Sequence, residues 1–329
     1  MTQFFNEKEV LVTGGTGTIG TSLCNKLHNM GAKVTAVSLH SEQKARRILS
    51  PNVNFLNRDL TSYDNCIEVA SGKDFVFHLT AIKGSSQLGN SRVASAYRSF
   101  ILCDSHMMEA SYRSGVERFL YVSSICAYPD VPLRKEAEIW SGPPAANDRF
   151  TGIAKRAAES LAEAYSLQYG WDAVRIVRPS NVYGPFDDFN PISAQVIPAL
   201  IAKAISSQDD VLQVAGDGSA VRDFIFSEDC VDGILRAVEL APACTPINLG
   251  AGRGCKIIEV CETIAEVLLE LNIKRSLSLS LNANAAVGDR ARVLDCELAS
   301  RLIDFSPTTS LKEGILRTVK WYVENREIC

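Results

Sequence analysis

The 329-residue chain has ten cysteines but no Cys-x-x-Cys pair, and its four histidines, His28, His40, His78 and His106, all lie in the first third. A zinc site needs thiolates and imidazoles in clusters, so no metal centre is expected. No apolar run approaches the roughly 20 residues of a membrane-crossing helix, so no membrane partner is expected. The opening residues, Met1 to Glu7, lack the basic and apolar regions of an export signal. Without export the thiols read as reduced and the expected location is cytoplasmic. A net charge of -4 gives no electrostatic reason for a nucleic-acid partner. There is no internal repeat and no low-complexity linker. At 46% hydrophobic and 22% charged residues, an ordinary globular chain remains, long enough for one large domain or two smaller ones.

What the chain does carry is a glycine-rich turn near its start, Glu9-Val10-Leu11-Val12-Thr13-Gly14-Gly15-Thr16-Gly17-Thr18-Ile19-Gly20. It reads as an apolar strand, a turn and a helix start. Glycines spaced like Gly14, Gly17 and Gly20 also make ordinary turns. After a strand and before a helix, however, they let the backbone approach a pyrophosphate, which the helix N-terminus then favours. Ile19, Leu23 and Leu27 give the helical period, Gly31 stops it, and Val34 to Val37 supply a second strand. That context predicts dinucleotide binding.

The end of this second strand usually bears an acidic residue for the ribose of NAD. Here Ser38 and His40 hold the candidate positions, and Lys44, Arg46 and Arg47 follow. The pattern favours NADP over NAD, unless the basic residues are a solvated helix face. Val53 to Leu56 read as a third strand. Asp59 after it is placed to meet an adenine edge or to cap the next helix. Phe75 to Leu79 form a continuous apolar run, as in a central parallel strand, with His78 read as a core residue. Residues 92–114 read as a long helix. Phe119 to Val122 form a strand that delivers Ser123, Ser124, Cys126 and Tyr128 to its C-terminal end, where open α/β sheets bind ligands. A helix begins near Phe150 and carries Lys155. Ala173 to Val177 are a further strand. Val221 to Phe226 read as one strand, and Ser310 to Glu313 as a capping box. The alternation implies a doubly wound, Rossmann-type parallel sheet followed by a smaller mixed α/β lid.

In order and spacing, Thr13 to Gly20, Asp59-Leu60, His78-Leu79-Thr80-Ala81, Ser123-Ser124, Lys155, Pro179 to Pro185 and Arg222-Asp223-Phe224 resemble the extended short-chain dehydrogenase/reductase family of NAD(P)-dependent epimerases and dehydratases. Ser124-Ile125-Cys126, Asp187 to Pro191 and Gln195 to Leu200 are most similar to GDP-fucose synthases and related GDP-sugar enzymes. The resemblance implies a Rossmann domain of residues 1–178 with about 221–250, and a nucleotide-sugar domain of about 179–220 with 251–329. It implies NAD(P) held by Gly14, Gly17, Thr18, Ile19, Gly20, Ser38, His40, Asp59, Leu60, Leu79, Thr80, Ala81, Lys155 and Pro179. It implies a nucleotide sugar, GDP-linked by preference, held by Ser124, Asn181, Gln195, Val196, Arg222 and Arg290. For Arg222 the alternative is a surface ion pair with Asp223 or Asp217. It further implies a homodimer made by pairing helices 92–114 and 150–168 into a four-helix bundle.

The family's acid/base is a Tyr four residues before the Lys, whose charge lowers the phenol pKa. Here that position is Thr151, and no Tyr in the chain precedes a Lys at that spacing. Tyr128 reads as a structural tyrosine rather than a substitute. In GDP-fucose synthases a Cys and a His exchange protons beside a 4-keto group. Cys126 matches the Cys, but Gln195 stands at the His position. The expected catalytic set is therefore Ser124, Cys126, Thr151 and Lys155, acting by hydride transfer at C4 or through a 4-keto sugar. The alternative is a family member that binds cofactor and sugar nucleotide with little or no turnover.

Overall fold

A computed structural model describes residues 2–80, 93–190, 192–282 and 290–327. Seven parallel strands form the main sheet in the order Pro246–Leu249, Val174–Pro179, Arg118–Val122, Phe75–His78, Glu9–Thr13, Lys33–Ser38, Asn54–Asn57. Phe75–His78 is buried at every residue, as its unbroken apolar sequence requires when helices cover both faces. Successive residues of Glu9–Thr13 serve opposite layers. Val10 and Val12 pack with Leu23, Leu27 and Ile234, from the helices Thr18–Asn29 and Ser227–Leu240. Leu11 packs with Met107 and Ala162, from Val93–Arg113 and Arg149–Tyr169. Each such buried side chain contributes roughly 1.5–3 kcal/mol.

Strand order reverses at Glu9–Thr13, which lies between the second strand and the fourth. The crevice past its C-terminal end is where the topology calls for a ligand. Beyond the sheet, helices Val196–Ser206, Ile257–Glu270 and Leu311–Glu324 share a separate apolar cluster containing Leu200, Leu212, Val260, Ile264 and Ile315. Ser310 caps the last helix, its hydroxyl accepting from Glu313 N at 3.2 Å.

Two local readings change. Val221 to Phe226 is not one strand. It divides at Asp223 into Val221–Arg222, paired with Cys255–Lys256 and Ala291–Leu294, and Phe224–Phe226, paired with Asn181–Tyr183. The cause is the buried Asp223 carboxylate, which accepts from the backbone N–H groups of Ala251, Gly252 and Leu294 and ties three segments together. Asp59 does not cap the next helix: Ser62 is the residue before Tyr63–Ala70, and Asp59 instead accepts from Thr61 N and Thr61 Oγ1 in the preceding turn.

Candidate functional site

The glycine turn is built by exclusion. Gly14 has φ +66°, and a Cβ there would lie 3.0 Å from Leu79 O. A Cβ on Gly20 would lie 2.2 Å from Gly14 O and 2.8 Å from Gly15 Cα, so the helix start is packed against its own loop. Gly17 differs, because a Cβ there would meet only Gly14 O, at 3.4 Å. The space in front of Gly17 is open, and the first backbone N–H groups of helix Thr18–Asn29 face it. At the same sheet edge, Thr80 Oγ1 and Ser123 Oγ are buried without a hydrogen-bond partner among the described residues. Open space, helix N-terminus and orphaned hydroxyls together fit a dinucleotide. Thr16 Oγ1 donates to Ser38 Oγ at 2.8 Å and lies 2.9 Å from His40 Nδ1. Burial, then the Lys44 charge, push the His40 imidazole below its usual range. Asp59 is exposed, and Leu60, Thr18 and Pro179 are buried. Ile19 is half-buried. Ala81 lies outside the described residues.

Beneath this crevice runs a buried polar chain that sequence reasoning missed. Thr13 Oγ1 accepts from Leu79 N at 3.1 Å and Thr80 N at 3.3 Å, and lies 2.8 Å from His78 Nδ1. Its own proton therefore goes to Nδ1, which leaves His78 Nε2 to donate to Asp104 Oδ1 at 3.0 Å. Asp104 Oδ2 accepts from Tyr121 OH at 2.6 Å and is 3.7 Å from Lys155 Nζ. Lys155 is only 3% exposed and donates to Val122 O at 3.1 Å. Its ammonium also lies 4.6 Å from the Tyr121 ring centre. Burial alone would raise the Asp104 carboxyl, but the Lys155 charge and the His78 and Tyr121 hydrogen bonds outweigh it and hold it below its usual range. The signal was present: Asp104 is a carboxylate on a face otherwise made of Phe100, Cys103, Met107 and Met108.

Ser124 opens a short turn, Ile125–Ala127, and its Oγ accepts from Cys126 N at 3.1 Å. The helix bearing Thr151 and Lys155 starts against this turn, so closely that a Cβ on Gly152 would lie 2.4 Å from Cys126 O. Ser124, Cys126 and Thr151 are thus brought to one place, all half-buried. Burial first, and Asp148 next, raise the Cys126 thiol to about 11. Asp148, at the helix start, pairs with Arg292 at 2.7 Å. Tyr128 is fully buried, donates to Asn248 Oδ1 at 2.7 Å and accepts from Arg178 at 2.8 Å, so it is structural.

A cavity of about 220 Å³ is lined by Val196, Leu200, Lys203, Val214, Gly218 and Arg222, among others. Gln195, exposed, is the residue before that helix. The Asn181 amide donates to Asp223 O at 2.7 Å. The Arg222 guanidinium donates to Val221 O at 2.8 Å. Arg290 is exposed, and Val221 N donates to its backbone carbonyl at 2.9 Å. Lys203, in the last turn of the amphipathic helix Val196–Ser206, was not among the residues expected from the sequence. A larger cavity, about 360 Å³, lies elsewhere, against Lys26, Asp232 and Arg236, and includes none of the expected site residues. Among the described residues no group of three His, Cys, Asp or Glu is placed to hold a metal ion, and no helix is long and apolar enough to cross a membrane.

Comparison with known proteins bears on this geometry. GDP-mannose 3,5-epimerase 1 of Oryza sativa subsp. japonica is 29% identical over 328 residues, covering 97% of this chain and 82% of its own. GDP-L-fucose synthase of Sinorhizobium fredii is 32% identical over 233 residues, 68% of this chain and 71% of that one. Among solved structures, the UDP-glucose 4-epimerase of Thermotoga maritima with UDP-glucose superposes with a TM-score of 0.84 at 26% identity, covering 97% of this chain and 99% of that one. The profile of the NAD dependent epimerase/dehydratase family matches residues 10–250, from the first strand of the sheet to its last. With its glycine cradle, seven-stranded parallel sheet and Lys155 helix, the chain belongs to the NAD-dependent epimerase/dehydratase family.

Proposed function

We propose that the chain is an NAD(P)-dependent enzyme acting on a nucleotide sugar, GDP-linked by preference, by epimerisation through a 4-keto sugar or by redox at C4. The observation that carries this reading is that Ser124 and Cys126 follow strand Arg118–Val122 at the same end of the parallel sheet as the glycine turn, with the start of the Thr151 helix packed against them. When bound, the cofactor takes or supplies the hydride. The chain's own part is to hold the sugar hydroxyl with Ser124, to offer a proton from Cys126 and to position a hydroxyl or water with Thr151. Val196, Lys203 and Arg222 then hold the nucleotide end, with Lys203 and Arg222 suited to phosphate oxygens. The preference for GDP rests on the names of the relatives. The preference for NADP rests on Lys44 beside His40 and on the want of a carboxylate at Ser38. In this reading residues 179–220 and 251–329 form the sugar-nucleotide domain. Helices Val93–Arg113 and Arg149–Tyr169, which pack side by side, form the dimer face, with Ala157, Ala164 and Leu167 exposed on it.

Two observations favour the rival, a binding protein with little turnover. No phenol stands at Thr151, and Lys155 faces Asp104 and Val122 O. Incubation with GDP- and UDP-sugars and both cofactors in heavy water, followed by proton NMR, separates the readings. Deuterium at C3 or C5 is expected. Change at C4 alone means simple redox, and binding without change means the rival. Thr151→Tyr should leave cofactor and sugar-nucleotide affinity unchanged and raise hydride transfer about 10²-fold, the lower end of what a positioned acid/base supplies. A variant that binds both ligands and gains nothing would sink the assigned geometry.

A further inference from the structure

Asp104 is a buried carboxylate that the chemistry proposed above has not used. It stands on the inner face of Val93–Arg113 among Phe100, Cys103, Met107 and Met108, only 2% exposed. Apolar residues of similar volume often match or better a buried ion pair in stability, so packing alone does not call for a carboxylate here. Its partner is specific. Lys155 Nζ lies 3.7 Å from Asp104 Oδ2 and donates to Val122 O at 3.1 Å, the last carbonyl of strand Arg118–Val122. Glu159, one helical turn on from Lys155, is taken by Arg178 through bonds of 3.0 and 2.6 Å. His78 adds no charge, since its Nδ1 accepts from Thr13 and only its Nε2 carries a proton. Tyr121 reaches Asp104 as a neutral donor at 2.6 Å. One cation and one anion at the end of this strand therefore balance to zero.

The sheet decides which part of a dinucleotide belongs here. The adenosine ribose goes to the end of the second strand, Lys33–Ser38. Across Glu9–Thr13, where the strand order reverses, the other half belongs over the ends of Phe75–His78 and Arg118–Val122. That half carries the nicotinamide, a ring that is cationic when oxidised and neutral when reduced. A net charge at the end of Arg118–Val122 thus acts on the oxidised ring and spares the reduced one. We propose, on the reading of this crevice as an NAD(P) site, that Asp104 sets its redox preference: by cancelling the Lys155 charge, it lets the oxidised nicotinamide bind without repulsion. An unbalanced Lys155, only 3% exposed and so little screened, would repel that ring and favour the reduced form. Asp104 acts through Lys155 and is a positioning residue.

Titration calorimetry of the full-length protein with NAD+, NADH, NADP+ and NADPH tests this, at pH 8, where an imidazole is ordinarily neutral. The readout is the ratio of the oxidised to the reduced dissociation constant. Structural damage weakens both forms together and leaves that ratio alone. Asp104→Asn should raise the ratio about 10-fold, which makes the bound couple about 30 mV more positive. Lys155→Met strands the carboxylate instead and should lower the ratio about 10-fold. Asp104→Leu with Lys155→Met should restore the wild-type ratio, even where both affinities fall for want of the ammonium. A single variant that binds with an unmoved ratio, or two singles that shift the same way, would overturn the proposal. Should Asp104→Asn be too unstable to bind, Lys155→Met and the double variant decide: no fall in the first, or no return in the second, overturns it equally. A wild-type protein that binds neither form of either cofactor would remove the NAD(P) reading, and the proposal with it.

Discussion

Gly20→Ala is expected to weaken NAD(P) binding at least about 100-fold, close to 2.7 kcal/mol, and to lower the melting temperature of the free protein as well. Inside a helix, glycine to alanine normally stabilises by up to about 1 kcal/mol, so the sign must come from the site. It comes from backbone. The new Cβ would sit 2.2 Å from Gly14 O and 2.8 Å from Gly15 Cα, and neither atom can retreat without opening the turn itself. Gly14 is held in turn by its positive φ and by Leu79 O behind it. Gly17→Ala is the control. Its Cβ meets only Gly14 O at an ordinary 3.4 Å, so the free protein should melt as wild type does. The same Cβ would stand in the space in front of the helix N-terminus, so the cofactor should still be lost. Titration calorimetry with thermal melts distinguishes the two. Unchanged affinity in both variants would remove the dinucleotide from this turn.

The sequence showed the sheet because its strands are unbroken apolar runs, and Phe75–His78 is recognisable from four letters. It also showed the cradle, since the three glycines recur at a spacing that only a tight turn explains. What it hid were pairings across long stretches of chain. Asp148 needs Arg292, and neither is unusual alone. Asp223 looked like one residue of a six-residue strand, yet its carboxylate gathers N–H groups from two other segments and divides that strand. Lys155 was legible as a family lysine, but its direction was not. The resemblance implies that it holds a ribose, and the fold adds contacts of its ammonium with Val122 O and Asp104. The helical position of Lys155 is local information, and its counter-ion sits on another helix.

That counter-ion makes the largest stability prediction. Asp104→Asn should cost about 3–5 kcal/mol at pH 7, the usual penalty for stranding one member of a buried ion pair. The asparagine can still accept from Tyr121, but it cannot balance Lys155, whose other polar and ring contacts among the described residues are the Val122 carbonyl and the rings of Tyr121 and Phe100. The loss should have a distinctive pH dependence. Asp104 has its folded pKa depressed below the ordinary 3.8, so its contribution is fully present above that value and is lost as pH falls through the lower folded one. Urea unfolding should thus show a constant gap between wild type and variant from pH 7 down to about 5, narrowing below 3.8. Asp104→Leu with Lys155→Met removes both charges and should recover most of the loss, because the desolvation cost disappears with the attraction. If the double variant is as unstable as the sum of its parts, the pair is not what holds this layer together. The stabilising role would then pass to the Thr13–His78 link, whose hydrogen bonds to Leu79 and Thr80 tie the same network to the edge of the crevice.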